Sequence, residues 1–187
     1  MRNPVEEFER QYREHGDPWD YESSAYERAK YDRTLDALGD RTYPFALELG
    51  ASIGVLTERL APRCGRLITL EPARTAVEQA RGRLELVPNV DVRLGSAPED
   101  LPDWSFDLVV CSELLYYFSS DELDGVLDAL ELRMPRAATL LAVHWRGRGT
   151  HQLTGDEVHA VLCRRPALVR VHGDVQPEYV LDRFERR

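Results

Sequence analysis

The stretch Phe45-Ala46-Leu47-Glu48-Leu49-Gly50-Ala51-Ser52-Ile53-Gly54 sets the fold of this chain. Its first five residues are apolar apart from one acid and end at a glycine, as a short buried strand does. Gly50 and Gly54 permit a tight turn and a close backbone approach to a ligand. Residues 53–60 then carry apolar side chains at helical spacing, and a helix beginning beside such a turn offers free N–H groups.

Downstream, the same alternation repeats. Strands are expected at residues 67–70, 90–94, 106–111, 138–144, 168–172 and 179–184, with helices at 74–86, 121–132 and 154–162. The run at 106–111 is almost wholly apolar, as a central strand covered on both faces should be. Strands and helices in this order build βαβ units, hence a mostly parallel sheet with helices on both faces. Upstream, residues 1–43 are polar and aromatic and read as two helices, 5–14 and 24–38, around the turn-rich Gly16-Asp17-Pro18-Trp19-Asp20. Ser23 or Ser24 is the expected N-cap of the second, with Glu27 completing a capping box if Ser24 is the cap. The chain therefore divides into a helical arm, 1–43, and an α/β domain, 44–187.

The 187 residues suit one domain. No apolar run approaches the ~20 residues of a membrane span, and the start of the chain lacks the apolar core of a secretory signal, so a cytoplasmic location is expected. Cys64, Cys111 and Cys163 are odd in number and lack zinc-like spacing, which excludes a disulfide framework and leaves no metal site to expect. The formal net charge of −9 disfavours a phosphate backbone as partner and suits a cationic or neutral small molecule. Residues 144–187 stand apart, with eight Arg against six acids. Lys30 is the only lysine beside 23 arginines, a usage that a high-GC genome accounts for.

Spacing selects the ligand. A dinucleotide fingerprint starting at Gly50 needs glycine at 52 and glycine or alanine at 55, where this chain has Ser52 and Val55. Glu48-x-Gly50-x-x-x-Gly54 instead resembles motif I of class I S-adenosylmethionine-dependent methyltransferases, usually D/E-x-G-x-G-x-G, with Ser52 at the middle glycine. Glu71, 17 residues after Gly54, ends the second expected strand beside Pro72 and can accept hydrogen bonds from ribose hydroxyls. It could otherwise be a helix cap. Gly95-Ser96-Ala97-Pro98 resembles the superfamily's adenine loop, with Ser96 able to bond the exocyclic amine. Ser112-Glu113-Leu114-Leu115-Tyr116-Tyr117 follows the fourth strand, whose end faces the transfer centre in these enzymes.

The chain is also similar to the nodulation protein S family of amino-sugar N-methyltransferases. The matching pieces include Asp17-Pro18-Trp19, Tyr26-Glu27-Arg28, Lys30-Tyr31, Gly50-Ala51-Ser52-Ile53-Gly54-Val55-Leu56-Thr57-Glu58-Arg59-Leu60, Ser112-Glu113-Leu114-Leu115-Tyr116-Tyr117, Val143-His144-Trp145-Arg146 and Leu153-Thr154-Gly155-Asp156-Glu157-Val158-His159. Ser52, unusual for methyltransferases at large, is what this family shows. The resemblance implies a single Rossmann-like α/β methyltransferase domain: a mostly parallel seven-stranded sheet with an antiparallel last strand, under an N-terminal helical lid. It also implies S-adenosylmethionine as cofactor and an amine acceptor on a chitooligosaccharide-like or aminoglycoside-like sugar. A homodimer is compatible with it.

Cofactor-binding residues expected on this reading are Trp19, Lys30, Glu48, Gly50, Ala51, Ser52, Gly54, Glu71, Pro72, Ser96, Ala97 and Ser112. Trp19, Tyr26 and Tyr31 could wall the sulfonium with π faces or anchor the arm. Lys30 or Arg28 could pair with the methionine carboxylate or lie on a solvated face. An amine acceptor must lose a proton before attack, and Glu113, Tyr117 and His144 are the catalytic candidates. Glu113 could instead orient its loop, and His144 could be a hydrogen-bonded core residue; His151 and His159 are expected at the surface or in a helix. The competing readings are an O-methyltransferase of another small metabolite and a non-catalytic cofactor-binding protein.

Overall fold

Buried runs of β-branched and leucine side chains place the strands, and the chain between them folds into covering helices. The structure is a computed structural model and describes residues 4–187. Two helices lead, α1 (Pro4–His15) and α2 (Ala25–Asp36). The alternation then runs β1 (Tyr43–Leu49), α3 (Val55–Leu60), β2 (Cys64–Glu71), α4 (Arg74–Arg83), β3 (Val90–Leu94) and β4 (Leu108–Ser112). It continues through α5 (Ser120–Glu131), β5 (Thr139–Trp145), α6 (Gly155–Arg164), β6 (Leu168–Val175) and β7 (Tyr179–Arg186).

The sheet order is β3-β2-β1-β4-β5-β7-β6. Only β7 runs against its neighbours, pairing antiparallel with both β5 and β6. This is the expected mostly parallel, seven-stranded α/β sheet with an antiparallel last strand. The apolar run beginning at Phe106 enters the sheet two residues later, at Leu108, while Phe106 itself is fully buried below it.

Two local expectations change, and one is met. The helix expected to reach residue 86 stops at Arg83, leaving Leu86 90% exposed; Pro88 disfavours helix in the residue before it, and the chain turns back into β3. Ser24 is the N-cap of α2, accepting from the Glu27 N–H at 3.3 Å. The Glu27 carboxylate does not close the capping box and turns inward to Lys30 at 2.9 Å.

The arm joins the sheet's own core. Tyr31, Leu35 and Leu38 pack with Leu56, Leu60, Val143 and Tyr179 on one face. Helix α1 crosses above the C-terminal ends of the first strands and is held by polar contacts: Glu9 accepts from the Thr75 N–H at 3.0 Å and from its hydroxyl at 2.7 Å, where α4 begins. The Tyr12 hydroxyl bonds Ser52 Oγ at 2.7 Å. Among the described residues no helix is long and apolar enough to cross a membrane.

Candidate active site

From β1 the chain steps outward through β2 to β3, then returns to place β4 on the other side of β1. Loops leaving β1 and β4 diverge at such a switch point, and the crevice between them is the ligand site of open α/β sheets. A cleft lies there, floored by Glu48, Gly50–Ile53, Glu71, Pro72 and Ser112–Leu114. Phe8, Tyr12, Trp19, Tyr21 and Tyr31 from the arm, with Tyr117, form its walls and roof. Counted with its open mouth, it takes in about 670 Å³.

The first loop is fixed by its backbone. The N–H groups of Gly50 and Ala51 both reach Leu70 O, and that of Gly54 returns to Ala51 O at 2.9 Å. Gly50, Ser52 and Gly54 all have positive φ, +78°, +50° and +84°. A serine there carries a cost of about 1–2 kcal/mol that glycine avoids, and its hydroxyl meets Tyr12 in partial compensation. Gly54 serves packing: a Cβ added to it would lie 3.2 Å from Ala80 of α4.

Charge on the lining is one-sided. Glu48, Glu71 and Glu113 line the cleft, and among the described residues no lysine, arginine or histidine does. Burial pushes the Glu71 carboxyl up to about 7, although the Ala73 and Ser52 N–H groups, each at 2.9 Å, favour its ionised form. Burial likewise pushes Glu48 up to about 7, against the hydrogen bond from the Thr57 hydroxyl at 2.6 Å. A ligand carrying positive charge or hydroxyl donors would stabilise both carboxylates.

Glu113 is built differently. Its backbone is held at φ +54°, and both of its oxygens are engaged. Oε1 accepts from Lys30 Nζ at 2.7 Å, while Oε2 accepts from the Tyr116 hydroxyl at 2.6 Å and the Trp145 N–H at 2.9 Å. Lys30 is 2% exposed. Desolvation opposes its charge, but Glu113 and Glu27 overcome this and raise its pKa. The Lys30 ammonium thus ties α2 to the end of β4.

Of the residues singled out in the sequence, Trp19, Glu48, Gly50, Ala51, Ser52, Glu71, Pro72, Ser112, Glu113 and Tyr117 meet around the cleft. Five do not line it: Lys30, committed to its two carboxylates; Gly54, packed on α4; Ser96 and Ala97; and His144. Ser96 and Ala97 follow Gly95, whose N–H donates to Glu71 O at 3.1 Å, so they sit at the neighbouring strand end. Tyr26 points away from the cleft, 38% exposed, with the Lys30 ammonium 5.1 Å from its ring centre.

His144 is fully buried and both ring nitrogens are used. Nε2 accepts the Leu115 N–H at 3.1 Å, so the neutral ring carries its proton on Nδ1. That proton points to His159 Nε2 at 3.0 Å, and His159 Nδ1 in turn faces Asp182 Oδ2 at 2.7 Å. Burial, then the neighbouring His159, hold the His144 pKa well below the usual range. His144 is a core histidine steadying the 3₁₀ turn Leu115–Tyr117, with no free nitrogen to take a substrate proton.

Sequence reasoning missed Phe8, Tyr12 and Tyr21 of the roof. Phe8 and Tyr12 lie four residues apart on α1 and so share a helix face, which was a usable signal. It also set aside His151, whose ring stacks on Tyr116 with centroids 3.9 Å apart. The two glycines just before it, Gly147 and Gly149, marked a loop that folds back sharply.

The comparisons with known proteins agree with this arrangement. The sequence model described as "Nodulation protein S (NodS)" matches residues 3–141. Nodulation protein S of Rhizobium tropici is 29% identical over 119 residues, 63% of this chain and 47% of the relative. The chain thus spans about half the length of the curated relatives it matches. A crystal structure of N-methyltransferase NodS from Bradyrhizobium japonicum WM9, in complex with S-adenosyl-L-homocysteine, superposes with a TM-score of 0.89 at 24% identity, covering 99% of each chain. A putative methyltransferase from Pseudomonas syringae is 34% identical, with a TM-score of 0.77, over 87% of this chain and all of that one. With fold, switch-point cleft and family sequence in agreement over residues 3–141, the chain belongs to the nodulation protein S family.

Proposed function

We propose that the chain is an S-adenosylmethionine-dependent N-methyltransferase whose acceptor is the amino group of an amino sugar. One observation carries this reading: the switch-point cleft is walled by three carboxylates and six aromatic rings, with no basic side chain among the described residues. Such a lining repels phosphate-bearing dinucleotides and favours a cation, because π faces and carboxylates attract sulfonium and ammonium groups.

The residues fit the cofactor. Glu71 accepts two backbone N–H bonds and keeps two of about four lone-pair sites for ribose hydroxyls. Glu48 lines the cleft and would attract the ligand ammonium, and Trp19, Tyr21 and Tyr31 shield the site from water. When bound, S-adenosylmethionine supplies the electrophilic methyl group. The protein's share is alignment of the acceptor nitrogen, which can contribute on the order of 7–11 kcal/mol. The amine class is supported by the acidic cleft lining and by the N-methyltransferase name of the Bradyrhizobium relative; the sugar is supported by the family resemblance.

Three free cysteines are in keeping with a reducing, cytoplasmic setting. A homodimer is part of the proposal: β6 is an open sheet edge with Val169, Val171 and Val175 exposed, and such edges invite pairing. The test is calorimetric titration with S-adenosylhomocysteine, followed by a mass-spectrometric screen against amino sugars and aminoglycosides. Binding and a product heavier by one methylene unit on nitrogen are expected. Absence of binding would refute the cofactor, and methylation confined to hydroxyls would refute the amine.

A further inference from the structure

The loop after β5 brings a further ring, the His151 imidazole, to the side of the cleft where Tyr117 stands. It leaves at Trp145 and folds back over the 3₁₀ turn, where the N–H groups of Gln152 and Leu153 both bond Tyr116 O at 3.0 Å. This anchor lays the His151 imidazole on the Tyr116 ring, with centroids 3.9 Å apart and planes 25° apart. Tyr117 meets it edge-on at 4.9 Å and Trp145 at 5.9 Å. Tyr117 is also a wall of the cleft, so the imidazole stands one ring away from it.

The rings around His151 are fixed, yet its own nitrogens are free. Tyr116 is tied down through its hydroxyl to Glu113. Neither nitrogen of His151 has a hydrogen-bonding partner among the described residues. The other histidines are differently placed: His144 and His159 are locked in their buried chain, His15 ends α1, and His172 lies on the outer strand β6. Glu113, the other basic group nearby, has both oxygens engaged.

We propose that His151 accepts the proton of the substrate ammonium, in an acceptor niche formed with Tyr116, Tyr117 and Trp145. This rests on the amine reading given above. The aromatic faces attract the incoming alkylammonium. Its proton passes to an unprotonated imidazole nitrogen, and the nitrogen lone pair so released attacks the methyl carbon. The carbon–sulfur bond breaks with its electron pair going to sulfur, leaving a methylammonium product and a neutral thioether. The imidazolium then returns its proton to water at its exposed edge.

The surroundings keep the base unprotonated at neutral pH. Desolvation lowers the His151 pKa, opposed by Glu113. Burial holds the phenols of Tyr116 and Tyr117 neutral, pushing Tyr117 up to about 12. The ring of His144 lies behind Tyr116, with its pKa well below the usual range.

The test compares wild type with His151→Gln and His151→Asn, using neamine and glucosamine as acceptors. Both variants should bind S-adenosylhomocysteine within twofold of wild type, which verifies their fold. Their turnover at pH 7 should drop by about a hundredfold, and the acidic limb of the wild-type rate profile should vanish. Independently of turnover, the His151 Cε1–H resonance, assigned by its loss in the variants, should titrate below 6.5 in the S-adenosylhomocysteine complex and move when neamine is added. A variant that keeps both rate and acidic limb, or a resonance that neamine leaves unmoved while wild type methylates it, would overturn the proposal. Failure of the amine reading shows separately, as wild type that methylates no amine at all.

Discussion

Lowering the pH from 8 to 6 should weaken S-adenosylhomocysteine binding by about a hundredfold. In the ligand-free cleft Glu48 and Glu71 both hold their protons up to about pH 7. Ribose hydroxyls and the ligand ammonium favour the ionised forms, so the bound pKa values fall toward the ordinary 4.5. At pH 6 only about a tenth of each carboxyl is ionised before binding, so each costs about tenfold in affinity, and the two multiply. Affinity should level off above pH 8. Near pH 6 calorimetry in two buffers of different ionisation enthalpy should record proton release, and Glu71→Gln should reduce the pH effect to about tenfold. Stability of the ligand-free protein runs the other way. In the folded state Glu48 and Glu71 bind more protons than in the unfolded chain between about pH 4.5 and 7, so the stability these two carboxyls contribute is lost as pH rises through that window. A carboxyl whose pKa stands near 7 instead of 4.5 opposes ionisation by about 3 kcal/mol. The ligand-induced rise in melting temperature should therefore grow from pH 6 to pH 8. An affinity that changes less than threefold over this range, without proton release, would refute the assignment of both carboxylates.

Other outcomes follow from the same contacts. Ser52→Ala keeps the left-handed backbone and loses the Tyr12 bond, so urea denaturation should show about 1 kcal/mol lost. Ser52→Gly relieves the strain as well and should stay near wild type; the reverse order would contradict the geometry. Lys30→Met strands Glu27 and Glu113 in the interior, for a cost of about 3–5 kcal/mol, and a loss below 1 kcal/mol would deny the pair its structural role. His159→Ala leaves His144 Nδ1 and Asp182 Oδ2 without their partner, at about 1–3 kcal/mol each. In the wild type, nitrogen NMR should find the His144 proton on Nδ1, and an Nε2-protonated ring would break the proposed chain.

The strand ends and the glycine loop were legible because their signals are local. Glu71 and Ser112 end their strands and Gly50 follows directly on β1, and a parallel sheet brings such ends to one edge wherever the side chains point. What failed was orientation and partnership. Lys30 and His144 stand near the site in sequence terms, but whether a charge faces a cleft or a buried partner depends on elements far apart in the chain. Lys30 meets Glu113 across 83 residues, and His159 meets Asp182 across 23. The extent of α4 was misread because apolar Leu84 and Leu86 prolong a helical pattern that Pro88 ends. Tyr26 was grouped with Trp19 and Tyr31 by residue type alone, although a helix turns Tyr26 and Tyr31 to different faces.

The anchor of the β5–α6 loop has a consequence for how this family can diversify. The loop is fastened to Tyr116 O by main-chain N–H groups at 152 and 153, so with His151 kept in place its attachment does not depend on which side chains occupy residues 147–150. Those positions can drift, lengthen or exchange without disturbing the glycine loop or Glu71, which lie on separate strands. Acceptor choice is thereby detachable from the cofactor machinery, and grafting this one loop between family members should move substrate preference while leaving S-adenosylhomocysteine affinity where it was.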